Sequence, residues 1–459
     1  MQTTPDPPTS LKTIQGHRRV GRTFAIGVVV LALGLIAAAC GSSSPSATKK
    51  TSGTHKSASS DTTTTDQSGA STTTTTGATG GTTTTTGAGS SSSSTKTTTT
   101  VKGNTTTTAK PVTSTPGGSL SADPTSSPSA SLTGIGASSI QPFYGRVLYE
   151  YNKLNPGVTV NFTGSGSGPG VTAIEQNTAS FGQSEVPMTS SQLAASKGPV
   201  LQVPVDLGGV AVSYHVNGVS GGLKLDGPTL AQIYLRKITN WNDQAIAKLN
   251  PGVNLPNENI IPVFRSDTSG PGYDLDQYLI DTSPTWTSAI GTTSPSTTWP
   301  TAGRATGDSG EDLNAGVAGY IQETEGAIGY VEYSYALEAN FTNAALLTKS
   351  NTYVTPSVSS IAAAGATATS LSSTNFNIIW SAGSEAYPLA NFSWALIYQK
   401  QSTTNTGIVL GKLFQWVTTS GQSYSSGLGY APLPSTAMSL AHSTLLGLET
   451  ASGSPIFTS

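Results

Sequence analysis

The chain has a single cysteine, Cys40, among its 459 residues. An intrachain disulfide and a cysteine-based zinc site are therefore both excluded. Its four histidines, His17, His55, His215 and His442, are scattered without metal-ligand spacing, so no metal site is expected. Charged residues make up only 10% of the chain, and they are divided unequally. Residues 131–459 hold 12 Lys and Arg against 20 Asp and Glu, a net −8, whereas residues 1–130 hold 10 against 4, a net +6. The acidic part has no readable basic patch, which argues against nucleic acid as a partner. An anion site there must work through local donors, because no broad positive field is present.

The first 130 residues lack the periodic apolar pattern of a folded domain. Arg18, Arg19 and Arg22 precede an apolar run from Phe24 to Ala39. The run has the length of a signal-peptide core and is short for a membrane span. It ends in Ala37-Ala38-Ala39-Cys40-Gly41, which resembles a bacterial lipoprotein signal. Cleavage there leaves Cys40 as a lipidated N-terminus. Ala37 stands where such signals usually carry Leu, and an uncleaved membrane anchor is the alternative. Either way, the rest of the chain is expected outside the cytoplasm. Residues 41–130 are mostly Ser, Thr, Gly and Pro, with uniform runs at Thr72–Thr76, Thr82–Thr86 and Thr97–Thr100. Such a segment buries too little apolar surface to offset its ordering entropy. It reads as a disordered stalk, about 90 residues long, reaching roughly 50 Å as a flexible coil.

Residues 131–459 alternate between strand and helix signals. Ser138 or Ser139 can cap a helix with Pro142 in its first turn. Ile140, Phe143, Val147, Tyr151 and Leu154 follow at helical spacing. Val158, Val160 and Phe162 alternate like a strand and lead into the glycine loop Gly164–Gly170. Val171, Ile174 and Thr178 predict a second helix, and 181–187 and 203–212 read as strands. The apolar run Ile260–Phe264 leads into Arg265-Ser266-Asp267-Thr268-Ser269-Gly270-Pro271-Gly272. Leu275, Tyr278 and Leu279 then predict a helix. Near the end, 392–398 alternates and 409–417 looks helical. This order favours α/β architecture.

Ser-Gly-Pro-Gly occurs twice, at Ser167–Gly170 and Ser269–Gly272, each time between a strand and a helix. Such junctions present unpaired backbone N–H groups at a positive helix end. Glycine permits close approach and serine adds a hydroxyl donor. Arg265 adds a permanent charge on a planar fork, and Asp267 can hold it in place. Three helix starts, at Ser138-Ser139, Ser167-Gly168 and Ser269-Gly270, can converge on one small oxyanion. Several charge-assisted hydrogen bonds, each about 1.5–3 kcal/mol, support micromolar binding, which needs about −8.2 kcal/mol.

Over residues 133–459 the chain resembles the phosphate-binding proteins of the Pst-type ABC transporter. The resemblance is carried by Thr133–Ser138, Gly166–Gly170 and Phe181–Pro187. It continues through Leu225-Asp226-Gly227, Ile233-Tyr234, Ile238, Trp241, Leu249–Gly252, Arg265-Ser266-Asp267 and Gly326–Tyr333. It implies a two-lobed periplasmic-binding-protein fold, α/β in class, with a hinge and an interlobe ligand cleft, preceded by the stalk. Lobe one would be 131–211 plus 391–459 and lobe two 212–390. A monomer would capture inorganic phosphate and hand it to the permease subunits of an importer, without catalysis or cofactor. By position the ligand set falls on Ser138, Ser139, Ser167, Arg265, Ser269 and Gly270, with Gly168 and Asp267 in support. The family's ligand-facing carboxylate falls on Glu185. An ionised carboxylate accepts the proton of monohydrogen phosphate and repels a fully deprotonated anion such as sulfate.

Three departures stand out. Glu185 replaces the usual Asp, Ser138 replaces a common Thr, and Pro271 follows Gly270 where the family carries a residue with an N–H. Proline supplies neither hydroxyl nor N–H, so a donor is lost or moves to Gly272. Sulfate, arsenate or another oxyanion is the alternative ligand, and a surface sensor or adhesin the alternative role. Enzyme motifs are poor matches. Gly182–Val186 lacks the last glycine of a nucleophile elbow, and Gly407–Lys412 is too short for a P-loop. His215, Trp241, Trp299 and Trp394 read as packing or surface residues.

Overall fold

The computed structural model describes residues 120, 129–293, 299 and 308–458. Cys40, the export segment and nearly all of the stalk lie outside the described residues. Strand and helix alternate as the apolar periods require. β1 (Ala130–Gly136) is followed by α1 (Gln141–Leu154), which buries Phe143, Tyr144, Val147, Leu148 and Tyr151. Then come β2 (Val158–Gly164), α2 (Ser167–Gln176), β3 (Phe181–Ser184), α3 (Ser190–Ala195) and β4 (Val200–Tyr214). Three expectations are corrected here. The residue before α1 is Ile140, and neither serine caps the helix, because both side chains face the site described below. α2 starts at Ser167 and takes in the end of the glycine loop, while Thr178 lies beyond its left-handed terminal residue Asn177. β3 stops at Ser184, whose hydroxyl donates to Val186 O (2.6 Å) and accepts from Val186 N (3.2 Å). That local turn takes Glu185 out of the ladder and leaves it at a strand end.

The middle of the chain supplies β5 (Lys224–Leu225), α4 (Gly227–Tyr234), α5 (Gln244–Leu249), β6 (Ile261–Arg265), α6 (Gly270–Thr282) and α7 (Pro284–Ile290). It continues with β7 (Ser309–Glu311), α8 (Leu313–Glu323), β8 (Ala327–Glu332), α9 (Tyr333–Glu338) and β9 (Thr342–Asn343). β10 (Ala345–Leu347), β11 (Tyr353–Val354) and α10 (Val358–Gly365) follow. β12 (Ala390–Tyr398), α11 (Thr404–Val417) and α12 (Ser435–Leu445) close the chain.

The main sheet runs β2-β1-β3-β12-β4-β8-β6-β7, with β9 beside β4. β1, β2 and β3 are mutually parallel, as are β6, β7 and β8, and the antiparallel strands β12 and β4 join the two sets. β4 changes partner along its length. Val200–Gly209 pairs with β12, and Val210–Tyr214 pairs with β8. The change falls at two glycines that lack room for a side chain. A β-carbon on Gly209 would lie 2.8 Å from Ile361, and one on Gly208 would run into the Glu332 carboxylate.

One apolar cluster packs on the first set of strands, and a larger one covers the second set and reaches α2 through Val171 and Ile174. Phe143, Tyr144, Phe181, Val203, Ile397, Leu413 and Phe414 pack α1 and α11 on the first set. Leu120, within the segment read as stalk, is buried there too. Leu230, Trp241, Leu275, Tyr278, Trp286 and Tyr330 pack α4, α6 and α7 on the second. Trp241, Trp299 and Trp394 are all buried in that second cluster. Gly407–Lys412 lies inside α11 and forms no loop. Among the described residues no helix is long and apolar enough to cross a membrane.

Candidate functional site

Parallel strands end together, so the loops that leave their carboxyl ends gather in one place. The ends of β1, β2, β3 and β6 carry Ser138-Ser139, Ser167, Glu185 and Arg265, and all of these residues are buried. Ser269, which precedes α6, is buried with them.

Arg265 is the charged centre. Its Nε donates to Asp267 Oδ1 (2.6 Å) and its Nη2 to Asp267 Oδ2 (2.5 Å). Asp267 also accepts from the Leu313 N–H at 3.2 Å. The pair is anchored on both sides, because the Arg265 N–H donates to Tyr330 Oη at 2.9 Å. The remaining nitrogen, Nη1, is buried and has no hydrogen-bond partner. An unpaired guanidinium N–H away from water is costly, so this atom marks where an acceptor belongs.

The hydroxyls are arranged as donors. Ser138 Oγ accepts from Asn314 Nδ2 at 3.2 Å, and Ser167 Oγ accepts from the Glu185 N–H at 3.4 Å. Ser269 caps α6, its Oγ accepting from the Gly272 N–H at 3.0 Å. A hydroxyl that already accepts still has its own proton to give. The cap also answers the question raised by Pro271. The Gly272 N–H is committed to Ser269 and does not replace the lost donor, while Pro271 sits in the first helical turn, where proline is tolerated. Gly168 is likewise committed, its N–H donating to Thr268 O at 3.4 Å.

The loops of the two strand sets touch each other here. Besides the Gly168–Thr268 bond, Tyr335 Oη donates to Ser138 O at 3.0 Å; within the first set the Tyr430 hydroxyl donates to Ser139 O. Glu185 is packed directly against Gly270. Burial raises the Glu185 pKa to about 7, against the lowering effects of the nearby Ser139 hydroxyl, Arg265 and Asn391. Ser139 Oγ is close enough to act on that carboxylate without reaching hydrogen-bonding geometry.

Sequence reasoning missed the residues behind this first layer. Asn391 Nδ2 donates to Glu185 Oε1 at 3.4 Å and also to Asp274 Oδ2. Asp206, Asp274 and Glu332 are buried, and desolvation holds each carboxyl well above its ordinary range. Glu332 accepts from the Gly209 N–H at 3.0 Å, and its own N–H donates to Asn314 Oδ1 at 2.8 Å. A signal was present, since Glu332 ends an apolar run and Asn391 opens one. Among the described residues no three or more His, Cys, Asp or Glu side chains are grouped to hold a metal ion. His215 lies elsewhere, its Nδ1 paired with Ile321 O at 3.1 Å and its Nε2 3.4 Å from Glu325.

A family model described as a PBP superfamily domain matches residues 72–420. The phosphate-binding protein PstS of Xylella fastidiosa is 35% identical over 327 residues, covering 69% of this chain and 87% of that one. That of Pasteurella multocida is 36% identical over 306 residues, covering 66% and 86%. Among solved structures, a phosphate-binding protein from Stenotrophomonas maltophilia aligns with a TM-score of 0.53 at 16% identity, over 69% of this chain and 94% of that one. At that identity the likeness is one of fold, mixed α/β and PBP-like.

Proposed function

The chain belongs to the PstS phosphate-binding proteins of the PBP superfamily, and from that premise we propose that it captures inorganic phosphate outside the cytoplasm and delivers it to the permease of an ABC importer. The observation that carries this reading is Arg265 Nη1, a buried donor with no partner on a guanidinium otherwise pinned by Asp267. To Ser138, Ser139, Ser167, Ser269 and Gly270 we assign the uncharged donors. Lobe one is assigned to 131–211 with 391–459, and lobe two to 212–390. The exchange of partners by β4 at Gly209 and Val210 supports a division close to that point. The lobes close on the anion as a hinge, and release to the permease requires them to part. Attachment of a monomer through lipidated Cys40, with the Ser/Thr-rich segment as a spacer, completes the reading. It is a binding function, with no catalytic residue.

Isothermal titration of phosphate and sulfate into the protein, freed of bound anion, tests this. Phosphate is expected to bind at micromolar or tighter Kd, and sulfate far more weakly. Arg265→Ala removes the charge and is expected to weaken phosphate binding about 100-fold or more. Arg265→Lys keeps a charge but loses the fork and falls between. Near-normal affinity in Arg265→Ala would refute the site.

A further inference from the structure

The oxyanion reading leaves Asn391 and Asp274 without a part, although both are buried beside Glu185. Three separate elements bring them together. Glu185 follows β3, Asn391 is the second residue of β12, and Asp274 lies in the second turn of α6. One nitrogen, Asn391 Nδ2, donates to both carboxyl groups. An amide nitrogen carries two protons, so it can serve two acceptors at once. The reversed amide would aim a carbonyl at Glu185, so an ionised Glu185 fixes its orientation. Glu185 has one more rotatable bond than the Asp common at this position, and its surroundings restrict that bond. Oε1 faces Asn391, while Oε2 is seated on Gly270, where no β-carbon fits.

Resting on the oxyanion reading, we infer that Asn391, clamped by Asp274, orients Glu185 as a proton acceptor and so restricts the site to anions that bring a proton. Asn391 and Asp274 are positioning residues, and Glu185 is the group that meets the ligand. The groups facing Glu185 are Arg265 at the end of β6 with Asp267 beyond it, Asp274 on α6, Asp206 on β4, Glu332 ending β8 and the Ser139 hydroxyl. Arg265 is the one cation in this set, so ionised carboxylates here repel one another. Burial and the charge of Glu185 push the Asp274 carboxyl well above its ordinary range, which favours its protonated form. A protonated Asp274 would accept from Asn391 without adding negative charge, leaving Glu185 as the member that ionises. Loss of Asn391 removes a donor that favours the ionised form. Glu185 would then hold its proton at higher pH and act as a donor to anions that have none.

Sulfate is the informative probe, because it carries no proton between pH 5.5 and 8.5 and any pH dependence of its binding reports the protein. Titrations with phosphate and sulfate across that range compare the unaltered chain with Asn391→Leu, Asp274→Ala and Asp274→Asn. In Asn391→Leu and Asp274→Ala the phosphate-to-sulfate affinity ratio at pH 7.5 is expected to fall about tenfold, the loss of one hydrogen bond to a charged group. Sulfate binding, confined to low pH in the unaltered chain, would extend to neutral pH. Asp274→Asn keeps an uncharged acceptor for Asn391 and is expected to keep the ratio. Equal weakening of both anions, with the sulfate pH profile unmoved, would overturn the inference while leaving phosphate capture intact. An unaltered chain that binds neither anion would instead refute the oxyanion reading and the inference with it. If either destabilising variant does not fold, judged by thermal unfolding, the other decides, and failure of Asp274→Asn to keep the ratio counts against the clamp.

Discussion

Gly270 shows how much the site demands of a single residue. A β-carbon there would meet Oε2, Cβ and Cδ of Glu185, all on a buried side chain that has nowhere to retreat. Gly270→Ala is therefore expected to displace Glu185 and to cost about 1–3 kcal/mol of stability, as overpacked sites do. Phosphate affinity should fall with it, and urea unfolding beside calorimetric titration checks both. Arg265 and Asp267 represent the opposite case in legibility. They stand two positions apart, so their pairing is written in the sequence, and the structure adds the anchors from Leu313 and Tyr330 and the unpaired Nη1.

At the scale of elements, α6 combines a cap with a donor site. Ser269 accepts from the Gly272 N–H, and in the proposed site its own proton goes to the ligand. Ser269→Ala should cost about 1 kcal/mol of stability through the lost cap and weaken phosphate binding about tenfold through the lost donor. Stability unchanged in urea would show that the cap contributes nothing. The repeated Ser-Gly-Pro-Gly segments were legible as junctions before helices, because glycine, proline and serine act through local backbone geometry. The cap expected from Ser138 or Ser139 was not realised, because those side chains turn away from α1 toward Asn314 and Glu185. Local propensity proposed a partner, and contact with a distant element replaced it.

Across the whole molecule the buried carboxyls couple folding to pH. Burial raises Glu185 to about 7 and holds Asp206, Asp274 and Glu332 above their ordinary range. The folded protein therefore keeps protons that the unfolded chain gives up. Their contribution to stability is fully present below the unfolded carboxyl range and is lost as pH rises through the folded values. For Glu185 the loss falls between about pH 4.5 and 7 and amounts to about 3 kcal/mol at roughly 1.4 kcal/mol per unit. Ligand-free protein should unfold at lower denaturant concentration at pH 8 than at pH 5.5 through this effect. Glu185→Gln should flatten the slope, and parallel slopes for the two proteins would refute it.

By itself the sequence determined the alternation of strand and helix, the glycine and serine junctions, and the charged pair at Arg265 and Asp267. These features depend on neighbours a few positions away, where apolar period and backbone propensity act directly. Only the tertiary structure decided which polar groups stand behind the site. Asn391 lies 206 positions from Glu185 and 117 from Asp274, and Asn314 lies 176 from Ser138. No local rule links residues at such separations. They meet because β12 and β4 cross the middle of the sheet and bring both sets of parallel strand ends to one buried place, where each polar group must find a partner or remain, like Arg265 Nη1, without one.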